Sequence, residues 1–395
     1  MVIYVDNQPI SILGFVAVHD IIYEERALML TREHDAIVTR FEIDKDYIRN
    51  LNHLGIAQGC QLFRVSANSE DLVASILADK NAKERLQLLV KEGYELSFFL
   101  CDERAKLLCD DIGYSIDNEF KFYSKCFLKS YLNTLEDECG IPIPDYLIST
   151  SAAEISEFLT SCPDGIIGKS NNGIAGEGIA QICSEEQLDT FLTAHTDNEY
   201  GLRFERYVRG IKEGSIQFIV KNGTTSFYID ECDNRNNSYN GFKYPSDLSK
   251  SKKLVAYAES ITKYITQRFH LNNSYYGIDF IFDGEEFYFH DFNPRKTAVS
   301  YVLDTFLYLQ KRSLLGGDVS IVNKYISINE KYYHLGYSEI IDRIKNFVPL
   351  VDSDLEGVLL VNPKRIARGQ VQAISFSRHG RNDEYLERIG EELSD

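Results

Sequence analysis

A lysine at the end of an apolar stretch is followed at once by a segment rich in glycine. Ile166–Lys169 has the pattern of a strand, and Gly173, Gly176 and Gly178 follow it within nine residues. A lysine and several backbone N–H groups hold nucleotide phosphates well, and only glycine lets the backbone approach so closely. The order is not that of a P-loop, in which the lysine follows the glycines, nor is the spacing that of a Rossmann loop. The segment predicts a phosphate-binding strand and loop, against the plainer interpretation of a surface hairpin.

A second segment ends an aromatic-rich strand with polar side chains. Asp291, Asn293 and Arg295 are two residues apart, so their side chains point to one face, which Phe287 and Phe289 would share. Carboxylate and amide oxygens are the hard ligands that suit Mg²⁺. The arginine would stabilise a developing negative charge. The segment predicts a magnesium site, and the alternative is a solvated polar face.

Whether Asp279 joins this face depends on the loop that connects its strand to the next. A three-residue loop, Gly284–Glu286, would set Asp279 directly opposite Asp291. A two-residue turn at Asp283-Gly284, which is the stronger local hairpin signal, would turn it away. Both registers are open from the sequence.

Two further segments are weaker when taken singly. The extended stretch Glu205–Val208 would hydrogen-bond adenine through its backbone, and Glu213 would accept from ribose hydroxyls, but an exposed strand is equally consistent. Lys125 stands in the first turn of a predicted helix, Tyr123–Cys139, which Gly140 and the following Ile-Pro-Ile-Pro run end. A lysine in that position is normally solvated.

The elements that carry these segments alternate between helix and strand. Residues 1 to about 120 read as an α/β domain with a mainly parallel sheet. We expect strands at Ala36–Phe41, Cys60–Val65 and Leu96–Leu100, and helices at Lys45–Leu54 and Ser69–Glu92. Further on, we expect a helix over residues 251–270 and a strand–turn–strand over Tyr275–Asn293. In the C-terminal tail, residues 331–395, we expect strands at Gly357–Val361 and Gly369–Ser375 and a helix at Asp383–Leu393.

Composition limits the class of protein. The chain of 395 residues is too long for one comfortable core, so two or three subdomains are expected. A net charge of −18 argues against nucleic acid as a partner. No apolar run approaches the roughly 20 residues that span a membrane, and no signal-peptide pattern is seen at the N-terminus. The eight cysteines form no Cys-x-x-Cys pair, which disfavours zinc and redox motifs. A cytoplasmic protein is predicted.

In their order and joint spacing, these segments resemble the ATP-grasp superfamily over roughly residues 121–300. The resemblance implies an α/β fold with α+β subdomains: a Rossmann-like pre-ATP-grasp domain (1–120), an ATP-grasp domain (121–330, lid about 150–210) and a small C-terminal α+β domain (331–395). It implies ATP and Mg²⁺ as cofactors. The residues it implies for ATP binding are Lys125, Lys169, Gly173, Gly176, Gly178, Glu205, Arg206, Tyr207, Val208 and Glu213. Asp279, Asp291 and Asn293 would bind the metal, and Arg295 and Lys169 would be catalytic.

Two positions depart from the superfamily pattern. Asp291 stands where the family commonly has glutamate, and Glu213 lies one residue later than usual after the hinge glutamate. The whole chain is also similar to a smaller branch with a pheganomycin-type peptide ligase and a butirosin-pathway ligase that charges an acyl carrier protein with glutamate. The segments that carry this similarity are Ala27–Val38, Tyr239–Pro245 and Gly369–Val371.

The resemblance implies a ligase that activates a carboxylate as an acyl phosphate and joins it to an amine, such as an amino acid or peptide, in biosynthesis. Candidate residues for holding the substrate are Arg235, Lys243 and Arg295. A carrier-protein thiol is the alternative acceptor, and Lys364–Arg368 is the one compact basic run for an acidic carrier. Other readings are a kinase that stops after phosphorylation and a non-catalytic protein that ATP regulates. A homodimer is the superfamily's expectation.

Overall fold

The computed structural model describes residues 1–7, 20–66, 71–172, 178–195, 200–235, 238–313 and 318–394. The N-terminal part holds a parallel four-stranded sheet of order β3-β2-β1-β4. Its elements are β1 (Val2–Val5), a 3₁₀ helix (Asp20–Leu30), β2 (Ala36–Thr39), α1 (Lys45–His53), β3 (Gln61–Arg64), α2 (Leu72–Ala78), α3 (Lys80–Lys91), β4 (Glu95–Phe98) and α4 (Glu103–Ile112).

The parallel sheet forms because its inner strands are apolar on both faces. All four residues of β2 are buried, as are three of the four in β1, which is typical of strands covered by helices on both sides. The predicted α/β class is confirmed. The predicted single helix Ser69–Glu92 is instead two, because Asp79 ends α2 in an extended conformation and caps α3 by accepting from the Ala82 N–H.

A second, antiparallel four-stranded sheet has the order β5-β8-β6-β7, and we call it the lid sheet. Two helices precede it, α5 (Asp117–Cys126) and α6 (Tyr131–Cys139). Its elements are β5 (Tyr146–Ile148), α7 (Ala152–Ser161), β6 (Ile166–Ser170), β7 (Ile179–Ile182), α8 (Glu185–Ala194) and β8 (Leu202–Arg206). Ile166, Phe204 and Phe191 pack in its small apolar core on one face, which leaves the other face for polar side chains.

The largest sheet, which we call the central sheet, has eight strands in the order β13-β12-β9-β10-β11-β14-β16-β15. The part of the chain that forms its first five strands contains β9 (Lys212–Lys221), β10 (Thr224–Arg235), β11 (Ser238–Tyr244), the helix α9 (Lys252–Phe269), β12 (Ser274–Phe282), β13 (Phe287–Asn293) and the helix α10 (Ala298–Arg312). The part that forms the other three strands contains β14 (Ser320–Ser327), the helix α11 (Tyr337–Ile344), β15 (Gly357–Val361), β16 (Gln370–Ser377) and the helix α12 (Asn382–Ser394). Short 3₁₀ turns lie at Asp247–Lys250, Glu330–Tyr332 and Pro363–Arg368.

The C-terminal strands are not a sheet of their own. β16 pairs with β14, and β14 pairs with β11, so residues 357–377 extend the central sheet across the expected boundary at 330. Leu359 and Ile374 lie in the same apolar core as Leu28 and Leu30 of the N-terminal part. The expected C-terminal elements are present, but they are packed into the body of the molecule. Within the described residues, no helix is long and apolar enough to cross a membrane.

Candidate active site

The register of the β12–β13 hairpin decides which side chains meet. The two strands are joined by a four-residue turn, Asp283–Glu286, and β13 has one extra residue, His290, before Asp291. The turn alone would place Asp279 opposite His290. The bulge shifts the pairing by one residue, so Asp279 lies directly opposite Asp291. The two carboxylates thus share a face, although neither turn weighed from the sequence is the one that forms.

The same bulge moves the aromatic residues of β13 to the other face. Phe289 pairs with Phe280, and Asp291 pairs with the preceding residue of β12, Asp279. Since neighbouring residues of a strand point to opposite faces, Phe289 and Asp291 lie on opposite faces. Both are fully buried in the core between the central sheet and α9, together with Phe287. The expectation that Phe287 and Phe289 share the face of Asp291 is therefore wrong.

The two carboxylates and an amide form a compact group, which we call the carboxylate cluster (Asp279, Asp291 and Asn293). Asn293 Nδ2 donates to Asp279 Oδ2 at 3.1 Å. Burial and the charge of Asp291 raise the pKa of Asp279 to about 8. Burial would also raise the pKa of Asp291, but the cations Lys129 and Lys169 outweigh it and hold that pKa below its usual range. The cluster has an excess of negative charge that a further cation would relieve.

Lys129 is the cation in contact with the carboxylate cluster. Its Nζ lies 2.7 Å from Asp291 Oδ1, and its side chain is 5% exposed. It stands in the turn where α5 ends and α6 begins. Asn171 anchors this turn, because its carbonyl accepts from the Lys129 N–H at 2.7 Å and its side-chain oxygen accepts from the Ser130 N–H at 2.9 Å.

Lys125 does not reach the site. It is exposed in the last turn of α5, whereas the sequence interpretation placed it at the start of one continuous helix. The helix breaks after Cys126, and the break brings Lys129 inward instead. A signal for this was present, because Lys129 stands three and six residues before Leu132 and Leu135, the buried stripe of α6.

Lys169 is the last residue but one of β6 in the lid sheet, and its side chain faces the carboxylate cluster. Its Nζ donates to Glu205 Oε2 at 2.5 Å and to the carbonyl of the bulged residue His290 at 2.9 Å. Burial lowers its pKa below the ordinary value, although Glu205 opposes this. Burial and Lys169 also lower the pKa of His290 to about 4, so that imidazole is neutral.

Glu205 is held between two cations. Arg203 donates from Nε to Glu205 Oε1 at 2.6 Å and from Nη1 to Asn133 Oδ1 at 2.7 Å. Burial would raise the pKa of Glu205, but Lys169 and Arg203 more than compensate and keep it low. The ionised carboxylate therefore fixes the position of the Lys169 ammonium. The sequence analysis missed Arg203, Asn171 and Lys129.

The polar face of the lid sheet also carries exposed apolar side chains. Tyr146 pairs with Glu205, and Ile179 pairs with Lys169, so they lie on the same face as the charged residues. Their exposed fractions are 37% and 39%, and Ile148 on this face is 44% exposed. An apolar surface beside two buried lysines suits a planar base attached to phosphates.

A short hinge, residues 207–211, joins the lid sheet to the central sheet. The Tyr207 N–H donates to the Gly165 carbonyl at 3.1 Å, and Val208 is buried. Glu213 lies two residues from Ser215, the partner of Asp279 in β9, and so on the same face as Asp279. Arg206 points elsewhere, because it pairs with Asp145 in an exposed ion pair at 3.0 Å.

Part of the predicted glycine loop lies outside the described residues, including Gly173 and Gly176. Gly178 closes the loop: its carbonyl accepts from the Ser170 N–H at 3.1 Å, and its φ of +67° is in the region that favours glycine.

The predicted substrate residues are not gathered in one place. Lys243 pairs with Glu231, which alternates with Asp230 on β10, so Lys243 lies on the face of the sheet opposite to the carboxylate cluster. The side chain of Arg235 is outside the described part. Arg295 follows the cluster directly, and its guanidinium lies 5.4 Å from the centre of the Phe99 ring.

Asp230 is a third buried carboxylate in the same row of the sheet. It pairs with Ser215, which pairs with Asp279, and it accepts from Ser215 Oγ at 2.5 Å and from Cys232 Sγ at 3.5 Å. Burial raises its pKa to about 7. It has no ion pair among the described residues.

This raised pKa predicts how Asp230→Asn changes the pH dependence of stability. The folded state retains a proton that the unfolded state loses near pH 4, so the wild type loses stability as the pH rises to about 7. The variant lacks this loss. Its stability relative to wild type should rise by up to about 4 kcal/mol between pH 4 and pH 8. Thermal unfolding of both proteins at the two pH values checks this.

The control is Asp247→Asn, because Asp247 is 76% exposed. Its stability relative to wild type should not change with pH. A pH-independent difference for Asp230→Asn as well would show that folding does not raise the pKa of Asp230.

Comparison with known proteins gives a family model that matches the central region and solved structures that share the fold. Residues 128–299 match the family described as ATP-grasp domain. An ADP complex of N5-carboxyaminoimidazole ribonucleotide synthetase (PurK) has a TM-score of 0.61 at 15% identity, with 93% of each chain covered. The biotin carboxylase from Campylobacter jejuni, solved as a complex with a nucleotide, has a TM-score of 0.64 at 12% identity, with 99% of this chain and 91% of that chain covered.

A third similar structure is the biotin carboxylase domain of a Hydrogenobacter thermophilus 2-oxoglutarate carboxylase, solved with ADP, magnesium and bicarbonate. Its TM-score is 0.56 at 14% identity, with 87% of this chain and 81% of that chain covered. No curated protein matches the sequence. Residues 128–299 thus resemble an ATP-grasp domain, and the chain has the ATP-grasp fold.

Proposed function

We propose that this chain is an ATP- and Mg²⁺-dependent ligase that activates a carboxylate as an acyl phosphate and transfers the acyl group to an amine. The observation that carries the proposal is the convergence of Lys129 and Lys169 on the carboxylate cluster. Lys129 Nζ contacts Asp291, and Lys169 Nζ contacts the carbonyl of the preceding residue, His290. Two lysines beside two facing carboxylates form a site for a polyphosphate and a divalent cation.

ATP binding is supported by the arrangement of the lid sheet and hinge. Lys169 lies on the same face as the exposed apolar residues Tyr146 and Ile179, so one surface offers both a platform for adenine and a cation for phosphate. The hinge supplies backbone groups at its edge. Glu213 on the adjoining strand is the proposed partner of the ribose hydroxyls. PurK and the carboxylases, which share the fold, are solved with adenine nucleotides.

Mg²⁺ fits the carboxylate cluster. Asp279 and Asp291 lie opposite each other, and only one cation, Lys129, contacts them among the described residues. Burial, and then the charge of Asp291, raise the pKa of Asp279, so a further cation between the two carboxylates would be favourable. Mg²⁺ is usually held in proteins by one or two carboxylates together with substrate phosphates and waters. Asp279, Asp291 and Asn293 would hold it, and when bound it would neutralise the charge of the phosphates.

The residues of this chain then act mainly through position and charge. Lys129 and Lys169 hold the phosphates, so the substrate carboxylate can attack the γ-phosphorus in line, with ADP leaving. Arg295, next to the cluster, stabilises the negative charge of the acyl phosphate. Closure of the lid sheet about the hinge excludes water from that labile intermediate. An amine then attacks the acyl carbon, and the amide and inorganic phosphate are formed.

An amine is the proposed acceptor because the structure offers no basic patch for a carrier protein at the predicted place. Lys364 Nζ lies 2.9 Å from the centre of the Phe41 ring, and the side chain of Arg365 stacks on Tyr325 at 4.1 Å. The run Lys364–Arg368 is therefore largely engaged within the molecule. Its predicted role as a docking patch for an acidic carrier is not supported.

The test is the release of ADP from Mg-ATP with pools of carboxylic acids, each with and without amines. Release that requires both an acid and an amine supports the ligase. Release with an acid alone, and a stable phosphorylated acid as product, would make the protein a kinase. ATP binding without release in any pool would replace the proposal with a regulatory role.

Lys169→Met tests the phosphate-binding role directly. The variant keeps the length of the side chain but removes the ammonium that contacts Glu205 and faces the cluster. Activity in the ADP-release assay should fall about 10³-fold, while the thermal unfolding midpoint changes by only a few degrees. Lys221→Met is a matched control, because Lys221 binds Asp304 away from the site. Equal activity of Lys169→Met and wild type would contradict the assignment.

A further inference from the structure

A cavity of about 380 Å³ lies beside β4, the edge strand of the N-terminal sheet. We call it the β4 cavity. Its wall is formed by the whole length of β4, by the start of α5 and by residues 294–296, which follow β13. Through Arg295 it adjoins the carboxylate cluster, since Asn293 is only two residues away. Its volume is in the range of ordinary small-molecule sites.

One end of the β4 cavity carries two cations that form no ion pair with any residue that the structure describes. Lys296 is 3% exposed, and its Nζ donates to Ser97 Oγ at 2.8 Å and to the Phe98 carbonyl. Arg295 Nη1 donates to the Lys296 carbonyl at 3.1 Å. Carboxylates act on both from a greater distance, Asp291 on Arg295 and Asp6 on Lys296. Buried cations are normally paired with carboxylates, so this end of the cavity can accept the carboxylate of a ligand.

The other end carries two carboxylates without cations. Glu95 begins β4 and accepts from Asn273 Nδ2, and Glu119 in α5 accepts from the Asn272 N–H at 3.4 Å. The two lie on the same side of the cavity, because they accept from the neighbouring residues Asn272 and Asn273. Within the described ranges, neither carboxylate is in an ion pair. This end of the cavity lacks a positive charge.

We propose that the β4 cavity binds the acid substrate of the ligase, and that this substrate is a di- or tripeptide whose C-terminal carboxylate is activated. The proposal rests on the proposed function. The peptide carboxylate lies at Arg295 and Lys296, next to the carboxylate cluster. The peptide ammonium lies at Glu95 and Glu119.

The distance between the two ends of the cavity determines the length of the peptide that fits. The cationic end is marked by Phe98, whose carbonyl accepts from Lys296, and the acidic end by Glu95. The two residues are three positions apart in β4, which is about 10 Å along a strand. An extended peptide advances about 3.3–3.6 Å per residue, so two or three residues bring both termini to their partners. A free α-amino acid carries both charges on one carbon and cannot reach both ends.

Binding is measured first without ATP, so that it does not depend on catalysis. Saturation-transfer NMR is recorded for the wild-type chain with pools of free tripeptides, N-acetylated tripeptides, tripeptide amides and free amino acids. We expect transfer to the free peptides and at least about tenfold weaker transfer to the other three pools, since each lacks one charge or the necessary length. Equal transfer to free and N-acetylated peptides, or none to peptides at all, would overturn the proposal.

Activation is measured with Mg-ATP and hydroxylamine, which attacks an acyl phosphate to give a hydroxamate and phosphate. Hydroxamate from the free peptide pools supports both proposals. Hydroxamate only from acids without an amino group would leave the ligase in place and overturn the peptide assignment. Absence of hydroxamate with every acid, combined with peptide binding by NMR, would count against the ligase while the peptide site survives.

Glu119→Gln shows whether the acidic end has the role assigned to it. The variant removes a half-buried carboxylate near the surface, so folding is expected to survive. We expect KM for a free tripeptide to rise about tenfold with kcat unchanged, and KM for its N-acetyl form to stay the same. Glu286→Gln, in the β12–β13 turn, is the control and should alter neither. A loss in kcat for both peptide forms would show a structural role for Glu119 and overturn its role in binding.

Discussion

Lys129→Met is expected to lower ADP release about 10³-fold, whereas Lys125→Met leaves it within about twofold of wild type. The two lysines are one helical turn apart in sequence, but only Lys129 has its ammonium at the site, 2.7 Å from Asp291. Lys125 is exposed on α5. The measurement is the ADP-release assay at saturating Mg-ATP with the best acid and amine.

The pair of variants separates a phosphate-binding role from general loss of positive charge. Both remove one positive charge and keep an unbranched side chain, so their effects on net charge are alike. Lys129→Met also leaves Asp291 without its partner, so its thermal unfolding must be recorded, and a shift of more than about 10 °C would make the comparison one of folding. A larger loss in Lys125→Met than in Lys129→Met would refute the assignment of Lys129.

Asp291→Asn is expected to lower ADP release by about 10³-fold or more, with folding intact. Asparagine keeps the shape of the side chain and one oxygen but not the charge, which both Lys129 and the proposed Mg²⁺ require. Burial and the charge of Asp291 together raise the pKa of Asp279 to about 8, so the substitution removes one of these two causes. This gain opposes the loss of the ion pair with Lys129, and the unfolding midpoint should stay close to that of wild type.

Two companion variants make the result for Asp291 specific. Asp283→Asn changes the turn of the same hairpin, where Asp283 Oδ1 accepts from the Glu285 and Glu286 N–H groups, and should leave activity within about twofold. Asp291→Glu keeps the carboxylate and restores the residue common in the superfamily. Its loss should be about tenfold at most. Full activity of Asp291→Asn, measured beside these two, would rule out a metal-binding role for Asp291.

The hairpin shows why a motif was readable while its geometry was not. The order Asp279, Asp291, Asn293 and Arg295 is a local property of the chain, and so is the preference of the two carboxylates and the amide oxygen for a cation. The register is not local. It depends on a bulge at His290, whose carbonyl accepts from Lys169 at 2.9 Å, a residue 121 positions earlier in the chain. No sequence pattern within the hairpin predicts that contact.

The break between α5 and α6 has the same origin. The continuous apolar pattern of Tyr123–Cys139 predicts one helix, because helical periodicity carries no information about contacts outside the segment. In the folded chain, Asn171 binds the backbone N–H groups of Lys129 and Ser130. These bonds replace helical ones and turn Lys129 toward Asp291. The choice between Lys125 and Lys129 was therefore decided by a residue more than 40 positions away.

The sequence by itself determined the element types, the α/β class and the chemical character of the site, because each rests on short-range periodicity and on residue type. Lys169, Asp279, Asp291 and Asn293 were predicted as site residues in this way, and Glu205 was predicted from the resemblance to the ATP-grasp superfamily. The tertiary structure alone decided which side chains share a face and which lysine is buried. It also joined the C-terminal strands to the central sheet through β14 and β11. Those outcomes depend on hydrogen bonds and packing between segments far apart in the chain, which are formed only when the whole core is assembled.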